Sequence, residues 1–163
     1  MRPGDLATKL YLTANCGLWC SLLGQSDSAR QAAGYLLAHL DQGGKLPGFL
    51  HTQWLAASLW FHLGIAPSAE HALDYLLSRL NDLAVSNLSW LIISLRSSGV
   101  PRNHPLVKGA SLLLEMGQLE NGSWPADMPA QQVHATLEAL HALKFFDRRG
   151  RKGDECIVKP DGY

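Results

Sequence analysis

Two histidines stand where a side chain could exchange protons. His51 and His134 each open an otherwise apolar stretch, "HTQWLAASLWFHLG" and "HATLEALHAL". Imidazole titrates near neutrality, so a histidine at such a place suits general acid or base work; it serves equally as an ordinary packed ring. One acid stands apart. Asp127 lies in "WPADMP", where two prolines stiffen its loop, although a solvated loop carboxylate fits the same residue. Four indoles, Trp19, Trp54, Trp60 and Trp90, lie in apolar runs, and Trp124 alone follows a turn-rich segment. Indole faces attract cations and also fill cores. Trp54 and Trp60 are about 240° apart around a helix, so both do not face one cavity. Trp54, nearer the helix start, is the better cavity candidate.

The elements that position these groups belong to one domain. The chain has 163 residues, 47% hydrophobic and 17% charged, with 14 basic and 14 acidic side chains. That balance excludes a nucleic-acid binder working through counterion release, which needs a basic face. The one basic cluster, Arg148-Arg149-Arg151-Lys152, reads as a solvated tail. Three cysteines, Cys16, Cys20 and Cys156, are too few and odd in number for a disulfide framework. "MRPGDLATKL" has no signal-peptide core, and no apolar run approaches a membrane span, so a cytoplasmic location is expected.

A repeat organises the chain. "AAGYLL" (32–37), "ALDYLL" (72–77) and "GASLLL" (109–114) share a small residue, two spacers, a large apolar residue and Leu-Leu. Between them run "TANCGLWCSLLG", "TQWLAASLWFHLG" and "SNLSWLIISLRSSG", each starting near Ser or Thr and ending on Gly24, Gly64 or Gly99. Ser and Thr suit N-caps, and the glycines suit left-handed C-caps. The segment 134–145 begins a fourth member without a glycine stop. The first set is amphipathic and therefore outer; the second is apolar on more than one face and therefore inner. The expectation is an all-α array of about seven helices in two layers, near 5–23, 28–40, 51–63, 67–80, 86–98, 104–116 and 130–145. Residues 1–146 form the repeat domain, and 147–163 a basic, extended tail.

The third repeat, "KGASLLLEMGQLENGSW", resembles the QW motif of squalene–hopene and oxidosqualene cyclases: Lys108, Gly109, Gln118, Gly122 and Trp124 match, and Leu112 replaces an aromatic. The first repeat matches at Arg30, Tyr35, Leu36, Leu37 and Gln42, and the second keeps only Tyr75-Leu76-Leu77. The resemblance extends over about residues 10–146, to the superfamily that also holds protein prenyltransferase β subunits and class II diterpene cyclases. The competing description is a TPR- or HEAT-like array.

The resemblance implies an α/α toroid, here half a ring, with Gln118 tying a helix end and Trp124 clamping neighbouring repeats. It places functional groups at inner-helix starts around a cavity mouth, which here means Asn15 with Cys16, His51 with Gln53, Asn87, and Gln131 with His134. It makes Trp19, Trp54 and Trp90 cavity walls for an isoprenoid or another apolar small molecule. Capping and packing explain the amides as well. The Asp-x-Asp-Asp and Asp-Asp-x-x-Asp motifs of the family's cyclases are missing, so Asp127, His134 or His51 would have to serve as the acid. A prenyltransferase-like zinc site needs a Cys beside Asp127 and His134, and none lies close in sequence, so no metal or cofactor is expected. The functional expectation is a small terpene-cyclase-like enzyme performing acid/base cyclisation or rearrangement; the alternative is a non-catalytic lipid-, prenyl- or protein-binding module of the same fold. A half-ring leaves apolar inner faces around Trp54, Leu55, Leu59, Trp90, Leu91 and Leu137, for which a homodimer is the simplest closure.

Overall fold

The computed structural model describes residues 4–126 and 128–144, and these are all-α, without a strand. Seven helices follow one another: α1 Leu6–Leu22, α2 Ser26–Leu37, α3 Leu50–His62, α4 Ala66–Ser78, α5 Val85–Ser97, α6 Pro105–Met116 and α7 Gln132–Lys144. Short 3-10 turns at Leu80–Asp82 and Pro129–Gln131 precede α5 and α7. Contacts between α1 and α3, α3 and α5, and α5 and α7 make one row, and α2, α4 and α6 pack against it as hairpin partners of α1, α3 and α5. The expected tail and Cys156 lie outside the described residues.

Three inner helices end in the same way. Gly24, Gly64 and Gly99 have φ of 78°, 73° and 93°, the left-handed region open to glycine. At each, the following N–H reaches back to a carbonyl in the last turn: Gln25 to Cys20, Ile65 to Trp60 and Val100 to Leu95, at 2.8, 2.8 and 3.0 Å. This Schellman pairing satisfies carbonyls that the helix leaves orphaned.

The helix starts differ from expectation. Ser and Thr do not cap: Asp5 caps α1 by accepting from Thr8 N–H at 2.6 Å, while Phe49 and Ala84 precede α3 and α5 without a side-chain cap. Thr52 lies inside α3, fully buried, with Oγ1 lacking a protein partner. Both outer helices α2 and α4 stop earlier than the pattern suggested. After Leu37 the chain tightens into i to i+3 turns, and His39 Nδ1 sits 2.8 Å from Tyr35 O. After Ser78, whose hydroxyl donates to Tyr75 O, the 3-10 turn takes over.

The core centres on α3. Every residue from Thr52 to Trp60 is buried, so α3 is packed on all sides. Close approach is built in at Gly17, where an added Cβ would lie 2.7 Å from the Ala32 Cβ and 2.9 Å from Leu59. The loop between α2 and α3 is fastened by Asp41 Oδ1, which accepts from the N–H groups of Gly43 and Lys45, and by His71 Nε2, 2.8 Å from Gly43 O.

Candidate functional site

The start of α3 gathers the densest chemistry. Phe49 stacks on His51 with centroids 4.9 Å apart, and Trp90 of α5 lies near-parallel to His51 at 5.9 Å. Tyr11 of α1 and Trp54 meet the same imidazole edge-on, at 4.8 and 5.8 Å. Trp54 and Trp90 also meet edge-to-face at 5.5 Å. His51 is thus a half-buried imidazole among four aromatic rings from three elements of the inner row. Burial pushes its pKa below the usual histidine value, because the charged form loses solvation. The burial thus favours the neutral ring.

This cluster joins His51, Trp54 and Trp90, as the sequence suggested, and adds Tyr11 and Phe49, which it did not. Tyr11 carries no signal of its own in the sequence, where the inner character of the first helix reads only from Thr13 onward. The start of α1 at Leu6 puts Tyr11 in its second turn.

Trp54 does not line an open cavity. Trp54, Leu55, Leu59 and Leu91 are 0–1% exposed, so no open cavity adjoins them. The inner faces expected to stand open are filled by the chain's own side chains. The exceptions are Trp90, half-buried on α5, and Leu137, which is exposed on α7. Gln53 is likewise buried, and its amide donates to Leu46 O, holding the preceding loop against α3.

The remaining candidates are dispersed. Asn15 lies mid-helix in α1, not at an inner-helix start, and is half-buried; Asn87 stands in the first turn of α5, also half-buried. Trp19 is 59% exposed on α1, pointing away from the row. His134 is exposed in the first turn of α7, with Nε2 3.2 Å from Glu138 Oε1 of its own helix. Asp127 lies outside the described residues. Among the described residues, no three His, Cys, Asp or Glu side chains come together as a metal site would require.

The QW-like loop does hold a clamp, with the roles changed. Trp124 is 2% exposed, and its Nε1–H donates to Leu114 O at 2.7 Å, satisfying a carbonyl in the last turn of α6. Its backbone N–H donates to Thr136 Oγ1 of α7 at 3.1 Å, and Gln132 Nε2 donates to Ser123 Oγ at 2.8 Å. Trp124 therefore ties the end of α6 to α7. Gln118, expected to reach a neighbouring helix end, is exposed and donates to Gly122 O within its own loop at 2.9 Å. Lys108 is exposed on α6, and Gly122, with φ of 81°, makes the turn that returns the chain to Trp124.

Apolar side chains do reach solvent at the two ends of the inner row. On α7 the buried residues are Ala135, Ala139 and Ala142, with Leu143 partly buried against the core, while Val133, Leu137 and Leu140 are 72%, 60% and 51% exposed. The spacing puts these three on the side opposite the alanines. Beside them the 121–123 loop and α7 frame a groove of about 330 Å³ that includes Asn121, Ser123, Gln132, Val133, Thr136 and Leu137. Compared with models of protein families, with curated proteins and with solved structures, the chain matches none.

Proposed function

We propose that the chain is a non-catalytic interaction module of the α/α-repeat kind, and that its α7 end receives an amphipathic helix of a protein partner. The observation that carries this reading is the inverted packing of α7. A helix ordinarily buries its larger apolar side chains; α7 buries three alanines, with Leu143 partly buried beside them, and presents Val133, Leu137 and Leu140 outward. Such a stripe is the docking pattern of helix-in-groove recognition, and the amides and hydroxyls of Asn121, Ser123 and Gln132 offer a polar rim. The solid packing around α3 supports a scaffold over an enclosing pocket, and no described helix is long and apolar enough to cross a membrane. A photo-cross-linking residue at position 137, introduced into the chain in its native cells, should give one discrete protein adduct. The pair Val133→Asp and Leu140→Asp should abolish it. An adduct only within the chain itself, or one indifferent to that pair, would overturn the reading.

One observation favours a second reading, a small terpene-cyclase-like enzyme acting on an isoprenoid. The aromatic faces around His51 are of the kind that stabilise cations, with a proton-exchanging group among them. Incubation with isoprenoid diphosphates and with squalene, analysed by mass spectrometry, separates the two. Conversion lost in His51→Ala would establish the enzyme; the module reading expects none.

A further inference from the structure

Two sulfurs take no part in either reading. Cys16 and Cys20 lie four residues apart within α1, both free, the first exposed and the second partly buried against the core. Four residues are about one helical turn with 40° of further rotation, so the two side chains share a face, and Cys20 leans toward Cys16. A groove of about 350 Å³ between α1 and α2 has both as walls. The hollow exists because Gly17 carries no Cβ; one added there would lie 2.7 Å from the Ala32 Cβ. The other walls include Leu12, Thr13 and Ser28, and none of the lining side chains is a carboxylate, an imidazole or a cation.

The backbone holds the pair in place. Asp5 caps the start of α1, and Cys20 O accepts from Gln25 N–H at 2.8 Å in the Schellman turn. Cβ atoms one turn apart on a helix stand about 5–6 Å from each other. A disulfide needs about 3.5–4.5 Å, so an intrahelical S–S bridge would distort the turn. Two metal–thiolate bonds of about 2.3 Å set in line span about 4.6 Å, which the same side chains reach with the helix intact.

We infer that Cys16 and Cys20 chelate one monovalent copper ion, two-coordinate, at the mouth of this groove. Thiolates select soft ions, chiefly copper(I), zinc and iron–sulfur clusters. Structural zinc and the clusters take about four protein ligands, and no third His, Cys, Asp or Glu joins the pair among the described residues. Copper(I) needs only the two sulfurs, so the missing third ligand that bars zinc does not bar it. Calcium and magnesium find no carboxylate in the groove. As the ion enters, each thiol releases its proton to solvent and each sulfur donates an electron pair. The ion enters as copper(I) and stays so, and the complex carries one negative charge. The inference goes beyond the α7 reading and does not depend on it, because it uses other residues at the opposite end of the inner row.

The test is an anaerobic titration of the reduced full chain with copper(I) in competition with bicinchoninate, in a Cys156→Ser background that removes the third thiol. The expected result is one copper per chain, with Kd raised on the order of 100-fold or more in Cys16→Ser and in Cys20→Ser, because each loses the chelate. Both sulfurs lie at the surface of α1, so serine keeps the fold, and an unchanged helical circular dichroism spectrum checks it. Cys20→Ser combined with Leu23→Cys keeps two thiols but sets them about 10.5 Å apart along the helix. That pair should bind as weakly as the single-thiol variants. X-ray absorption of the copper-loaded chain should show two sulfur neighbours. A reduced chain that binds no copper, single-thiol variants with unchanged affinity, a displaced pair as tight as the native one, or a copper ion with three or more neighbours would each overturn the inference.

Discussion

Replacing Trp124 separates what the loop's tryptophan does from what its glutamine does. Trp124→Ala removes a ring that is 2% exposed and packed with the buried core. Loss of a large buried aromatic costs about 3–5 kcal/mol, with the higher values where the site does not collapse. The site here is framed by α6 and α7, which the Trp124 backbone and side chain hold together. Trp124→Phe keeps most of the ring and removes the Nε1–H, leaving Leu114 O without its 2.7 Å partner. Leu114 O keeps the Gly117 N–H at 3.1 Å, so the loss is one hydrogen bond and some ring packing, about 1–2 kcal/mol. Gln118→Ala removes one exposed bond inside the loop, for which about 1 kcal/mol or less is expected. Urea unfolding gives all three from one assay. With a slope of about 1–3 kcal/mol per M, a loss of about 4 kcal/mol lowers the midpoint by roughly 1.3–4 M. The order expected is Trp124→Ala worst, Trp124→Phe intermediate and Gln118→Ala nearly silent. If Gln118→Ala cost as much as Trp124→Phe, the assignment of the helix-end tie to the indole would be refuted.

Two further outcomes follow from single residues. The folded chain holds the His51 pKa below its ordinary 6.5, so the unfolded chain binds the proton more readily; stability is intact above pH 6.5 and falls as the pH drops toward the folded-state pKa. His51→Phe keeps an aromatic ring and removes that proton, so urea midpoints at about pH 7.5 and 5.5 should differ less in the variant than in the wild type; an equal difference would show that His51 is not the linked group. At Gly64, with φ of 73° and open space around it, Ala should cost about 1–2 kcal/mol from backbone conformation alone. At Gly34, inside α2 with equally open space, Ala should stabilise by about 0.5–1 kcal/mol. Thermal melts that moved in the same direction for both would contradict the left-handed cap.

The helices were legible because several local signals agreed. The repeated small-x-x-large-Leu-Leu phrase marked the outer set, and Gly24, Gly64 and Gly99 marked where three inner helices stop, which the Schellman bonds account for. The starts were less legible. A Ser or Thr beside an apolar run signals an N-cap only when the chain enters the helix there, and Thr52 is instead swallowed by α3, inside its first turn. Within the site, the meeting of His51, Trp54 and Trp90 followed from their places on inner helices, with His51 at a helix start. Their setting did not, because period and spacing say which residues share a face but not whether that face meets a void or a neighbour. Gln118 and Trp124 show the same limit. The motif located the clamp, and only geometry assigns the carbonyl of Leu114 to the indole rather than the amide.

One property of the sequence explains both the core and the exposed ends. The inner helices are apolar on more than one face, the pattern of helices packed on both sides. For α3 and α5 that requirement is met, since each has a neighbour on either side in the row. For α1 and α7 it is met on one side only among the described residues. What remains is Leu12, Trp19 and Leu23 at one end and Val133, Leu137 and Leu140 at the other. Repeat arrays meet this problem with terminal repeats whose outer faces are polar. Here neither terminal helix has that character among the described residues. The stripe on α1 is uncharged. The stripe on α7 is bordered by His134, Glu138 and His141 and by the amide-lined groove, an asymmetric surround that suits a different molecule.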